Sequence, residues 1–483
     1  MKVSLWSILV FSICFQVPVF VQAGEDLTES AKAALRKAVA YFRENVSAEG
    51  GYLWRYSEDL AKREGEGKAS PTTVWVQPPG TPSVGGAYLN AYEATGDPYY
   101  LEAAKETAMA LVRGQLLSGG WDYRIEFDPE DRKRYAYRVD GSEGAKRNTT
   151  TLDDNTTQAA LRYLMRVDRA LDFKDEAIHG AVEYALENLL EAQYPNGAWP
   201  QRFSKPPDPS LYPIKKASYP ESWSREYEEI DYKGYYTFND NTISDMVETM
   251  LEAGEVYGDS KYTESAKKAG EFILLAQMPD PQPGWAQQYD TEMRPAWARK
   301  FEPPAISGGE SRGVLQTLMV LYEATGDGKF LEPIPRALEY YRNSRLPEGG
   351  LARFYELETN KPLFFTKEYV LTYDDSDMPT HYGFKQGFWV DGVEARYKAL
   401  RKERTKTVEE KPSKPRADLE KLAMEAISAL DDRGRWVEEG SLKYHGEEDT
   451  TRRILSSATF AANVKVLSEY LLGSDPKESQ NFE

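Results

Sequence analysis

The 483-residue chain has one cysteine, Cys14, and it falls in an apolar N-terminal run. Residues 1–23, MKVSLWSILVFSICFQVPVFVQA, carry basic Lys2, an apolar stretch from Val3 to about Phe20 and small Ala23, so a signal peptide cleaved after Ala23 is expected. The run is short for a membrane span and is broken by Ser, Gln and Pro, which argues against an uncleaved anchor. Cleavage leaves no cysteine at all. Disulfides and thiolate chemistry are thereby excluded, and stability must come from a large core. The mature protein is expected in the medium or the periplasm, off the membrane and monomeric.

Histidine is nearly as scarce, with His179, His381 and His445 only. That excludes histidine-rich zinc sites and leaves Asp, Glu, Lys, Tyr or Arg as candidate bases. Positive charge is also deficient: 60 Lys and Arg face 78 Asp and Glu, for a net charge of −18. Nucleic acid is therefore excluded as a partner class. A polyanionic glycan is repelled at long range too, and would need local Arg, Lys or a bound cation. Aromatics are abundant, at 12% with 32 Tyr and 10 Trp. In an exported acidic protein they suit carbohydrate binding, although for any single ring core packing is the simpler explanation.

The chain repeats a helical hairpin. YEATGDPYYLEAA, GEVYGDSKYTESA and YEATGDGKFLEPI each place Gly-Asp between two amphipathic runs, at Asp97, Asp259 and Asp327. A glycine-bearing loop follows each, at Trp121, Trp285 and Leu351. Two further units, from AKAALRKAV and from TTQAALRYL, fit less cleanly. Ile243, Met246, Val247, Met250 and Leu251 have the spacing of one helical face, and repeated hairpins of this kind bury such faces against their neighbours. The Gly-Asp turns then occupy one end of the assembly, where they serve as turn residues. The long connections that precede each first helix collect at the other end, beside free helix N-termini. After Arg345 the pattern alternates, and short strands or extended loops are expected. The resulting plan is a catalytic body over 24–405, a charged linker over 406–418, a helical segment packed on the body over 419–475 and a tail over 476–483.

Three stretches in the long connections carry candidate chemistry. In Thr151-Leu152-Asp153-Asp154-Asn155-Thr156-Thr157-Gln158, Asn155 and Gln158 have capping-box spacing, and a plain helix start is the favoured explanation. In Tyr235-Tyr236-Thr237-Phe238-Asn239-Asp240-Asn241, Asp240 or Asn241 could likewise be an N-cap. Yet the two motifs hold equivalent places in successive repeats, which capping does not require. Two loops that bring Asp and Asn oxygens to one mouth could form a calcium site of hard ligands. In the third, from Trp297 to Ser311, Ser307 and Glu310 make a capping box, whereas Arg299 is either a solvated charge or a catalytic group. Trp199 and Trp285 divide evenly between packing under a loop and stacking on sugar.

The LDDNTTQ turn, GAWPQRF, YYTFNDN and QQYD followed by RKFEPPAISGGES occur in an order that resembles the polysaccharide lyase family ten pectate lyases, from about Ala31 to Leu400. The resemblance implies an all-α fold, an (α/α)3 toroid of hairpins with long loops at one face and a few short strands. It also implies calcium-assisted β-elimination of polygalacturonate. By position it places Asp154, Asn155 and Asp240 at calcium and Arg299 as the base. It offers Lys233, Gln201, Arg202, Gln288 and Arg312 as substrate contacts, with Trp199 and Trp285 as stacking rings. Arg294 or Arg312 would take the arginine's place if the alignment were displaced. A guanidinium keeps its proton to a pKa above about 12. Either neighbouring cations lower that value, or Arg299 stabilises an enolate-like intermediate while water or Lys300 takes the proton. Two rivals remain open: a helical-barrel glycoside hydrolase working through Asp153 and Asp240, and a non-catalytic pectin-binding protein.

Overall fold

The computed structural model describes residues 20–141, 144–403 and 415–473. The expected signal peptide up to residue 19, most of the expected linker and the expected tail from 476 lie outside them. Thirteen helices run through the described residues: α1 (Phe20–Tyr41), α2 (Thr81–Thr95), α3 (Pro98–Gly114), α4 (Pro129–Arg132), α5 (Thr156–Ala170), α6 (Glu176–Glu191), α7 (Thr242–Tyr257), α8 (Ser260–Ala276), α9 (Glu310–Thr325), α10 (Ile334–Asn343), α11 (Val390–Glu403), α12 (Arg416–Ala429) and α13 (Ser457–Leu472).

The Gly-Asp turns make the hairpins. Gly96, Gly258 and Gly326 take left-handed φ values of 66°, 67° and 68° and end α2, α7 and α9. Their N–H groups satisfy the carbonyls of Tyr92, Gly254 and Tyr322. The aspartate that follows then caps the next helical segment, accepting from the N–H of Tyr99, Lys261 or Lys329. One dipeptide thus stops a helix and starts its partner.

The first helices pack in succession, α13 on α2, then α5, α7, α9 and α11, and α3, α6, α8 and α10 back them as a second layer. This is the expected α/α toroid. At the loop end, each hairpin is clipped by a short antiparallel pair joining the residues before its first helix to those after its second. Thr73–Trp75 pairs with Arg124–Glu126, Thr150–Thr151 with Arg202–Phe203, and Tyr236–Thr237 with Gln288–Tyr289. Ala305–Ser307 pairs with Phe354–Glu356, one of the expected strands after Arg345, which begin at Leu351–Ala352.

The C-terminal segment departs from the expected run of helix. α12 begins within the expected linker, and Val437–Glu439 and Arg453–Ser456 are strands. They join Arg55–Ser57, Arg63–Gly65 and Gly67–Lys68 in a five-stranded sheet, with Arg55 opposite Ser456.

Buried tryptophans pin the repeats. Trp121, Trp199 and Trp285 are each 0% exposed. Their indoles donate to the carbonyls of Leu111, Leu189 and Ile273, near the ends of α3, α6 and α8, at 2.8, 2.8 and 2.9 Å. Gln115, Gln193 and Gln277 repeat a second device, each amide donating to a carbonyl in its own loop and to one in the next unit. The indole bonds meet carbonyls in the last turns of their helices, where intrahelical donors run out.

Candidate active site

The Asp153-Asp154-Asn155 and Asn239-Asp240-Asn241 stretches fold alike. Each leaves a short strand, makes one 3-10 turn and enters a helix, α5 or α7. Asp154 and Asn155 have φ values of 49° and 56°, and Asp240 and Asn241 of 48° and 58°. Two consecutive left-handed residues are costly for most side chains, and Asp and Asn bear them best. Neither Asn155 nor Asn241 makes a side-chain cap bond, and Gln158 turns back to the Leu152 carbonyl at 2.8 Å. Capping therefore does not account for these motifs.

The turns instead bring Asp153, Asp154 and Asp240 together, with one carboxylate oxygen from each within 4.8 Å of the others. Asp153 is anchored by Tyr123 Oη at 2.6 Å, Gln201 Nε2 at 2.9 Å and Arg202 Nη2 at 3.0 Å. Asp154 accepts from Gln77 Nε2 at 2.9 Å, and Asp240 from the Asn239 amide. Burial, then the charges of Asp153 and Glu66, push Asp154 up to about 6. Burial, with Asp153 and Asp154 alongside, pushes Asp240 up to about 7. Crowded carboxylates of this kind gain most from a hard divalent cation. Asn239 Oδ1 adds a buried oxygen with no hydrogen-bond partner. The donor set fits calcium.

Arg299 acts electrostatically on both Asp154 and Asp240. Its Nε and Nη2 grip Glu302 at 2.9 and 2.6 Å, and its own N–H reaches the same carboxylate at 3.1 Å. Glu302 is also held by Tyr382 Oη at 2.8 Å. Burial works against the guanidinium's charge, but the hydrogen bond and charge of Glu302 outweigh it and hold the Arg299 pKa above its ordinary value. Burial would raise Glu302 in turn, and Arg299 carries it below the usual carboxylate range. A groove of about 640 Å3 beside this pair is lined by Lys233, Arg299 and Lys300, with Tyr227, Tyr232 and Phe301 among its walls.

The expected site residues do not all share one place. The Asn155 amide oxygen accepts from Arg162 Nη2 at 2.9 Å, and Asp153 joins the expected Asp154 and Asp240 in the carboxylate cluster. Trp199 and Trp285 have no exposed face on which a sugar could stack. Gln288 is 4% exposed and donates to the Tyr232 carbonyl at 3.1 Å, and Gln201 is committed to Asp153. Arg202 lies against Asp153 and Tyr123, with its side chain 35% exposed. Arg294 is paired with Asp290. Arg312 is exposed on the first turn of α9 and does not line the Arg299 groove. Tyr123, Gln77 and Tyr382 were not singled out by the sequence, since none belongs to a repeated acidic motif.

No curated protein matches the chain. Among solved structures it is similar to a family 10 polysaccharide lyase from Cellvibrio cellulosa, at 21% identity and a TM-score of 0.45, over 66% of this chain and 97% of that one. It is similar to a mutant of that lyase in complex with trigalacturonic acid at 20% identity, with the same coverage and TM-score. It is also similar to a D-mannose isomerase, at 15% identity and a TM-score of 0.46, over 96% of this chain and 99% of that one. The family model described as pectic acid lyase matches residues 115–350. That stretch contains the three carboxylates, Arg202, Arg299 and Glu302.

Proposed function

We propose that this protein cleaves the α-1,4 bonds of polygalacturonate by calcium-assisted β-elimination and releases 4,5-unsaturated oligogalacturonides. The observation that carries this reading is the Asp153, Asp154 and Asp240 cluster set beside Arg299 in the family-matched stretch. Bound there, calcium would draw charge from a uronate carboxylate and make the neighbouring C5 proton more acidic.

The remaining chemistry falls to the chain's own groups. Lys233, Arg299 and Lys300 give a strongly acidic protein the local positive charge that a polyuronate needs. Water or Lys300 takes the C5 proton, and the electron pair of the broken C5–H bond becomes the C4–C5 double bond. The C4–O bond breaks with it, and the leaving oxygen takes up a proton. Negative charge builds on the uronate carboxylate meanwhile, and a fixed guanidinium stabilises it without reorganising. The grip of Glu302 favours this role for Arg299. To remove the C5 proton itself, Arg299 would have to leave that contact and lose its own proton.

Incubation with polygalacturonate, with and without calcium, tests substrate, reaction and cofactor together. Calcium-dependent ultraviolet absorbance from the unsaturated product is expected. Cleavage that yields no new absorbance and ignores a chelator would mean hydrolysis and would reject the reading. Export rests on residues 1–23 alone. The expected secreted or periplasmic protein begins at Gly24, and N-terminal sequencing checks it.

A further inference from the structure

We propose that Gln77, which lies outside the family-matched stretch, is a positioning residue for the carboxylate site, with its amide held in one orientation by the Trp75 indole. The proposal rests on the reading that Asp153, Asp154 and Asp240 hold calcium.

Gln77 is 6% exposed and Trp75 5%. The Trp75 Nε1–H meets Gln77 Oε1 at 3.1 Å, and Gln77 Nε2 meets Asp154 Oδ2 at 2.9 Å. A glutamine amide can point either way, but an indole can only donate. The tryptophan therefore forces the amide oxygen toward itself and the NH2 group toward Asp154. The Gln77 backbone is fixed as well, because its carbonyl accepts from the Trp54 indole at 2.9 Å and from the Gly80 N–H at 3.0 Å.

This second layer matters because Asp154 sits at a left-handed position in a turn without a side-chain cap. Asp153 has Arg202 to neutralise it. Asp154 has no ion pair among the described residues, and Gln77 is the side chain that bonds it. A neutral donor on Oδ2 fixes the plane of the carboxylate and leaves Oδ1 for a cation, without introducing a rival positive charge. Tyr123 Oη is likewise a neutral donor to Asp153, and Val76 donates its N–H to the Tyr123 carbonyl at 2.7 Å. The donors to both aspartates are thus mounted on one hydrogen-bonded backbone. Groups behind metal ligands commonly govern affinity in this manner.

The test is calorimetric titration of the intact protein with calcium chloride, comparing wild type, Asp154→Ala, Gln77→Leu, Trp75→Phe and the Trp75→Phe/Gln77→Leu double variant. Thermal unfolding without calcium shows which variants are folded. Gln77→Leu should weaken calcium binding by about tenfold to a hundredfold. Trp75→Phe, which keeps the ring and removes the donor, should weaken it less. The double variant should bind no more weakly than Gln77→Leu alone, since the indole acts only through the amide. Should Gln77→Leu fail to fold, Trp75→Phe decides by itself. Wild-type affinity in the folded Gln77 or Trp75 variants, with binding lost in Asp154→Ala, would overturn the inference and leave the calcium reading standing. Additive effects in the double variant would overturn the orienting role of Trp75. Absence of binding by wild type would overturn the calcium reading and this inference together.

Discussion

Arg299 and Glu302 form a two-pronged pair, with contacts of 2.9 and 2.6 Å, in which the carboxylate side chain is 2% exposed and the guanidinium 41%. The carboxylate is locked, and the guanidinium still faces the groove. Arg299→Ala should therefore lower kcat by about a hundredfold to a thousandfold while oligogalacturonate binding largely persists. Arg299→Lys keeps charge but not the planar fork, and should recover only part of the loss. Steady-state kinetics with a binding isotherm separate the two effects, and full turnover by Arg299→Ala would remove Arg299 from the chemistry.

Glu302→Gln separates the two roles open to Arg299. It removes the anion that holds the guanidinium charged. A charge-stabilising Arg299 loses its clamp, so the rate should fall at every pH. A pH–rate profile that instead rises on the alkaline side would identify Arg299 as the base.

The carboxylate cluster makes stability depend on pH and calcium together. Asp154 and Asp240 titrate near 6 and 7 in the folded protein, above their ordinary 3.8. The folded state then binds more protons than the unfolded state between those values. Calcium-free stability from this source is fully present below about 4 and declines as pH rises through 7. Added calcium competes with those protons, so it should raise the unfolding temperature more at pH 8 than at pH 5. At about a hundredfold excess over Kd the stabilisation approaches about 2.7 kcal/mol. Scanning fluorimetry at the two pH values reads the difference, and Asp154→Ala should abolish it.

Trp199→Ala and Trp285→Ala should act through the core. Each removes a fully buried ring and should cost about 3–5 kcal/mol in denaturant unfolding. Any variant that remains folded at assay temperature should keep its KM. A selective rise in KM at full stability would restore the stacking role.

At the opposite end of the molecule, His179 Nδ1 and Tyr257 Oη both meet the buried Asp168 carboxylate at 2.8 Å, joining α5, α6 and α7. The hydrogen bond and charge of Asp168, aided by Glu183, raise the His179 pKa above 6.5. A raised histidine stabilises fully below its unfolded value, and the benefit disappears as pH climbs through its folded value. His179→Gln should remove that part of the pH dependence of the unfolding temperature and leave lyase activity unchanged.

The repeat was legible because Gly-Asp performs the same two backbone tasks each time, at Gly96-Asp97, Gly258-Asp259 and Gly326-Asp327. The recurrence of Asp154 and Asp240 in matching turns was legible for the same reason. Their partners were not. That Asp153 joins Asp154 and Asp240 depends on how the turn folds, with Asp154 and Asn155 both left-handed, and no local pattern in the sequence announces that conformation. Burial decides between packing and stacking for a tryptophan, and it is a property of the assembled repeats rather than of the motif around Trp199 or Trp285. The strand at 453–456 was missed because it pairs with Arg55–Ser57, beyond any local pattern, and the strand at 437–439 forms by pairing with it.

That pairing sets the order in which the chain can be completed. Arg55–Ser57 pairs with nearby Arg63–Gly65 on one edge, but the partner for its other edge lies about 400 residues downstream, where Ser457 Oγ also donates to the Leu53 carbonyl. During synthesis the central hairpins emerge and can settle on one another in turn, while the first strand must wait for the last segment to leave the ribosome. The sheet is the clasp of the ring. A chain truncated before Arg453 would yield correctly formed hairpins with an unpaired strand edge at their start, a species prone to self-association.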